Sequence, residues 1–151
     1  MHIATYIGIV HQAEKQLAKE LKNTAKKHKD EPDIEHMCQL LASWSEKHEQ
    51  GLRPFIAKYN EDDSSTEPGR LESLFDNSRS GSMGMLRDLH DLWLLTQEVR
   101  MCWKVIIQAA QGIRDEELLS NAKEFQEETN RQAMWLETRI KQAAPQTLIV
   151  A

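Results

Sequence analysis

Apolar residues recur along this chain at steps of three and four, the spacing of one face of a helix. Ile3, Tyr6, Ile7, Val10, Leu17 and Leu21 form the first stripe and predict a helix from Ala4 to His28. Asp30, Glu31, Pro32 and Asp33 then make a tight connection, with Pro32 suited to the first turn of the next helix. Ile34, Met37, Leu41, Trp44, Leu52, Phe55 and Tyr59 carry the second stripe, from Asp33 to Tyr59. Pro54 lies inside it and lacks a backbone donor, so a bend is expected there. A third stripe runs from Met85 to Ile113 through Leu89, Leu92, Leu95, Val99, Cys102, Ile106 and Ala110. The fourth begins at Asp115–Glu117, where negative charge suits a helix N-terminus, and runs to Ala143. It uses Leu118, Ala122, Phe125, Leu136 and Ile140, and Pro145 is expected to stop it. Thr147–Val150 reads as an apolar tail docked along the bundle.

Residues 60–83 break this pattern. Asn60–Gly69 is acidic and rich in Ser, Pro and Gly, and residues 61–70 are the expected site of first proteolysis. Leu71, Leu74 and Phe75 suggest one amphipathic turn. A connection of this length in a compact domain needs a reason, and a crossover along a four-helix bundle supplies one. The expectation is therefore an all-α, single-domain four-helix bundle over residues 1–151.

Each stripe carries a polar residue where an oily one belongs. Glu14 interrupts the first, His48 the second, Asp91 and Glu98 the third, and Thr129 and Gln132 the fourth, with Glu128 at its edge. Burying such groups is costly unless they are paired or bound to metal. With the first turn centred at residue 31, Glu14 stands 17 positions before it and His48 stands 17 after, so they share a height. About residue 115, Glu98 is level with Gln132, Glu128 is one turn away, and Asp91 is level with Arg139 as an expected ion pair. A crossover the length of the bundle would offset the two polar pairs by only about 8 Å.

Composition narrows the function classes. A net charge of -5 disfavours nucleic acid and anionic membrane as partners. The basic run from Lys22 to Lys29 is the counter-signal, and it falls at a helix C-terminus, where positive charge is favoured. The chain has no apolar run long enough to span a membrane, and its start lacks a signal-peptide pattern. Cys38 and Cys102 lie in helical segments without a CxxC, which reads as two buried thiols in a cytoplasmic protein. Trp44, Trp93, Trp103 and Trp135 read as packing residues, and His11, His36 and His90 as histidines reaching to water. Ser45 beside His48 has no oxyanion-hole element, so nothing points to a nucleophile, and the chain leans away from being an enzyme.

Two antiparallel helix pairs, a long middle connection and mid-bundle polar groups resemble the ferritin-like four-helix superfamily. The run from Trp135 to Gln146 is also similar to small bacterial ferritin-like proteins of unassigned function. Members with a dinuclear centre take one Glu from each of two helices and Glu-x-x-His from the other two. The resemblance implies Glu14 and Glu98 as the lone carboxylates. The second helix keeps His48 but has Ser45 in the carboxylate position; the fourth has Glu128 followed by Arg131. Glu14, His48, Glu98 and Glu128 are thus the metal-ligand candidates, enough for one ion of iron, manganese or zinc. A Glu14–His48 hydrogen bond would explain both residues without metal.

Three functional expectations follow. The leading one is a ferritin-like bundle with a degenerate polar centre, serving as a binding or structural protein. The second is a mononuclear or weak dinuclear metal protein with redox or storage activity. The third is an interaction module that forms a homodimer through exposed apolar parts of the third helix or the tail.

Overall fold

A computed structural model describes residues 1–59, 71–77 and 79–150. All regular secondary structure among the described residues is helical, and they contain no strand. α1 spans Ile3–Lys27, α2 Pro32–Tyr59, α3 Gly81–Ile113 and α4 Glu116–Pro145. Local chemistry sets the ends. Lys26 and Lys27 close α1 where the dipole favours cations, and α2 opens on Pro32, Asp33 and Glu35. α2 continues through Pro54 to Tyr59. α3 ends on Arg114, which takes the left-handed conformation (φ 59°) and returns its N–H to Ala110 and Gln111. Asp115 then caps α4 by accepting from the Leu118 N–H at 3.0 Å.

The apolar stripes meet in one core. Val10, Leu17, Leu21, Ile34, Leu89, Leu92, Val99, Ile106, Leu118 and Leu136 are fully enclosed. α1 packs on α2, α3 on α4, and α1 on α3; α2 and α4 touch more sparingly. Ion pairs at the ends give the helix directions. His28 and Lys27, at the end of α1, meet Asp88 near the start of α3 at 2.8 and 3.0 Å. Lys58, at the end of α2, meets Asp115 at 2.9 Å, and Tyr59 donates to the same carboxylate. Arg139, late in α4, meets Asp33 at 2.6 Å and Glu31 at 3.7 Å. α1 and α4 therefore run one way, and α2 and α3 the other.

Between α2 and α3, Glu72–Phe75 forms a single 3-10 turn, with Leu71 and Phe75 packed against the core. That is the amphipathic turn expected from Leu71, Leu74 and Phe75. The expected cleavage segment, residues 61–70, lies outside the described residues.

Three expectations are corrected. α3 starts four residues early, at Gly81 rather than Met85, because Gly84 sits against the Arg79 backbone and the first turn closes there, with the Gly84 N–H on the Ser80 carbonyl at 3.2 Å. Asp91 does not pair with Arg139: Arg79, just before α3, reaches it first, leaving Arg139 to the carboxylates at the start of α2. The tail lies beside α3 and α4, but its apolar side chains are not buried. α4 runs through Pro145 into a π-helical turn over Gln146–Val150, and Leu148, Ile149 and Val150 are 62%, 81% and 69% exposed. Continuing the helix keeps the backbone alongside α3 while these side chains face outward.

Candidate functional site: a buried Glu–His–Glu line

Mid-bundle, three of the four ligand candidates come together. Glu14 on α1 and His48 on α2 are fully buried, and the Glu14 Oε2 faces His48 Nδ1 in a short hydrogen bond. On the other side of the ring, His48 Nε2 faces Glu128 Oε1 from α4 at 3.1 Å. Glu128 is partly open to solvent and is also held by Lys47 Nζ, at 2.6 and 2.7 Å from its two oxygens. The equal spacing of Glu14 and His48 about the first turn is what puts them face to face.

The walls hold the ring flat. Phe125 lies against the imidazole with centroids 4.6 Å apart, and Trp103 meets Phe125 edge-on at 5.5 Å. Gly51 lets Phe125 in: a Cβ there would stand 2.6 Å from the ring's Cζ. Gln132, fully buried, donates from Nε2 to the Leu41 carbonyl and to Ser45 Oγ, both at 2.9 Å. Ser45 thus serves the network through its hydroxyl, in the position where the metal-binding pattern has a carboxylate. Ser45 and the Trp103 indole stand close enough to Glu14 to favour its charged form. Among the described residues, three buried atoms here have no hydrogen-bond partner: Glu14 Oε1, Trp103 Nε1 and Gln132 Oε1.

Electrostatics fixes the proton arrangement. Burial lifts the Glu14 carboxyl above its ordinary range, and the neighbouring His48 only partly offsets this. Burial alone would lower His48, but the charge and hydrogen bond of Glu14, with help from Glu128, outweigh it and raise it. Burial would lift Glu128, but Lys47 and His48 outweigh that and hold it below its ordinary range. Glu128 is therefore an anion, and His48 Nε2 must carry a proton to donate to it. One further proton lies between Nδ1 and Glu14, and it belongs to the pair. Counted as ions, Glu14 and Glu128 balance His48 and Lys47.

Glu98, the fourth candidate, is half-buried on α3 and accepts from the Cys102 thiol at 3.9 Å, one turn along its own helix. It is not one of the groups bonded to His48. The arrangement does not fit a metal as it stands. Both imidazole nitrogens already face carboxylates, and Glu14 lies in direct hydrogen-bond contact with Nδ1. Among the described residues no group of three or more His, Cys, Asp and Glu side chains is placed to hold an ion.

Sequence reasoning missed two contributors. Lys47 was hidden because it lies off the apolar face, beside His48. Trp103 was read only as packing, although its indole N–H points into the polar centre. His11 also differs from expectation: it pairs with Glu49 Oε1 at 2.8 Å, and Arg53 donates to both oxygens of that carboxylate at 3.0 Å. Cys38 is a buried free thiol, its pKa pushed up to about 12 mainly by burial, and Cys102 is a buried cysteine whose thiol donates to Glu98. Among the described residues, no helix is long and apolar enough to cross a membrane. Comparison with family models, characterised proteins and solved structures finds no match to this chain.

Proposed function

We propose that the chain is a ferritin-like four-helix bundle acting as a cytoplasmic binding or structural protein, and that its polar centre is a charge-balanced hydrogen-bond network. The observation that carries the reading is His48, whose two ring nitrogens each face a carboxylate while Lys47 balances the outer one. A network closed in this way has no lone pair on the imidazole left for a cation. The pairing of α1 with α2 and α3 with α4, with α2 and α3 running in the same direction, supports the ferritin-like part. Buried cysteines at Cys38 and Cys102 without a CxxC pattern support a reducing compartment.

One observation favours the rival, a mononuclear or weak dinuclear metal protein with redox or storage activity. Glu14 Oε1 is buried without a hydrogen-bond partner, beside an imidazole. Metal entry would have to displace the proton between Glu14 and His48. The deciding experiment is elemental analysis of protein purified without chelator or metal-affinity tag, with melting curves in iron(II), manganese(II) and zinc(II). The network reading expects no stoichiometric metal and the same metal response, if any, from the native protein and His48→Gln. Stoichiometric iron, manganese or zinc that vanishes in His48→Gln would promote the metal protein instead.

A further inference from the structure

A long groove of about 470 Å³ lies on the outer surface between α1 and α2, away from the polar centre. Lys15, Lys19, Lys22 and Lys26 line one side of it, and Glu46, Glu49 and Arg53 stand on the other. The lysines are spaced by four, three and four, which places them on one helix face. The row covers about 16 Å, eleven positions at the helical rise. All four are exposed.

The charges do not cancel. Lys22 is paired with Glu46, and Arg53 with Glu49. Glu49 is further engaged by His11. Lys15, Lys19 and Lys26 have no carboxylate in ion-pair range among the described residues. Three positive charges are therefore in excess within one groove of a chain whose net charge is -5. The macrodipole accounts for cations in the last turn of α1, but its effect fades within a turn, and Lys15 and Lys19 lie well before that.

We propose that this groove binds an extended phosphate chain. Lysine ammoniums are point-charge phosphate ligands, and a row of them matches a linear polyanion better than a single compact anion. The remaining lining residues, Ala18 and Asn23, offer no aromatic or large aliphatic pocket. A protein partner normally needs such an anchor, and single-stranded nucleic acid needs a stacking ring. This inference is independent of the polar centre and stands or falls without it.

The test is calorimetric titration of the full chain with orthophosphate, pyrophosphate, long-chain polyphosphate and polyglutamate over a range of NaCl concentrations. Long-chain polyphosphate should bind more tightly than pyrophosphate, and its affinity should fall with salt. The triple variant Lys15→Glu, Lys19→Glu, Lys26→Glu should weaken it by at least about tenfold and flatten the salt slope. The same positions changed to Arg should keep binding, which separates loss of charge from loss of fold. A control triple, Lys104→Glu, Lys123→Glu and Lys141→Glu, changes the net charge equally on other helices and should bind as the native chain does. Equal loss in the control, no preference for longer chains, tighter binding of polyglutamate than of polyphosphate, or no binding at low salt would each overturn the proposal.

Discussion

Replacing Gly51 by Ala should destabilise the protein, although alanine is the better helix former. The added Cβ would lie 2.6 Å from Cζ and 2.8 Å from Cε2 of Phe125. Ordinary carbon contacts are about 3.5–4.0 Å, so the ring must retreat by roughly 1 Å. It has little room to do so. His48 lies against its face at 4.6 Å and Trp103 meets it at 5.5 Å, and both are fully buried. The propensity gain for Gly→Ala within a helix is about 0.5–1 kcal/mol. Overpacking of a tight core costs about 1–3 kcal/mol. The clash wins, with a net loss of about 1 kcal/mol by those two ranges. Gly8 supplies the internal control. It is also helical, but nothing lies within 4 Å of its added Cβ, so Gly8→Ala should stabilise by about 0.5–1 kcal/mol. Urea unfolding of both variants reads the two signs side by side. Phe125→Leu should ease the clash, so the double variant with Gly51→Ala should fall short of additive loss by about 1 kcal/mol. If Gly51→Ala stabilises as much as Gly8→Ala, the close packing of Phe125 under α2 is wrong, and with it the wall of the polar centre.

The remaining predictions concern charge and exposure. The folded-state pKa values of Glu14 and His48 are both raised, so the stability they contribute is lost as pH rises through those values. Relative to the Glu14→Gln/His48→Gln double variant, the native protein should lose stability as pH rises above about 4.5, the ordinary Glu value, and go on losing it above about 6.5, the ordinary His value; a difference that is flat or growing from pH 6 to pH 9 in denaturant titrations would contradict the shared-proton centre. Asp115→Ala removes a helix cap and the acceptor of Tyr59 and Lys58, and should cost about 1–2 kcal/mol in urea unfolding. Asp115 is held down at about 2 because hydrogen bonds from Tyr59, the Leu118 N–H and Lys58 outweigh the opposing effect of burial. Its contribution should therefore persist above about pH 4 and fade below it. Changing Leu148, Ile149 and Val150 to Ser should leave the melting temperature within about 2 °C, because these side chains touch water already.

Much of the bundle was legible because its signals are local and periodic. The three-four stripes, Pro32, and Asp115 before an acidic first turn each act within a few residues. The facing of Glu14 and His48 was also legible, since a short turn ties two positions to one height. Arg139 was not. Its height allowed Asp91 or the start of α2, and the choice depended on Arg79, which lies in the irregular stretch where periodicity carries no information. Register favoured Glu98 and left Glu128 at the edge of its stripe, one turn away, yet Glu128 is the one that meets His48. What separates them is the rotation of α3 and α4 about their axes, which spacing within one helix does not report. The burial of the tail was misjudged for a related reason: an apolar run shows what would benefit from burial, not which way its side chains face once the helix continues.

The sparing contact between α2 and α4 has a consequence for alignment. A seam of leucines and alanines would accept a slide of one helical turn, about 5.4 Å, with little complaint. The polar links across this seam would not. They sit at three heights: Lys58 and Tyr59 with Asp115 at one end, Ser45 with Gln132 and His48 with Glu128 in the middle, and Asp33 with Arg139 at the other. A one-turn slip would break all three sets together and leave Gln132 and Asp115 buried without these partners. Each link adds little net stability when formed, yet each penalises every wrong offset. The two helical hairpins are thus keyed to one another like a lock with three wards.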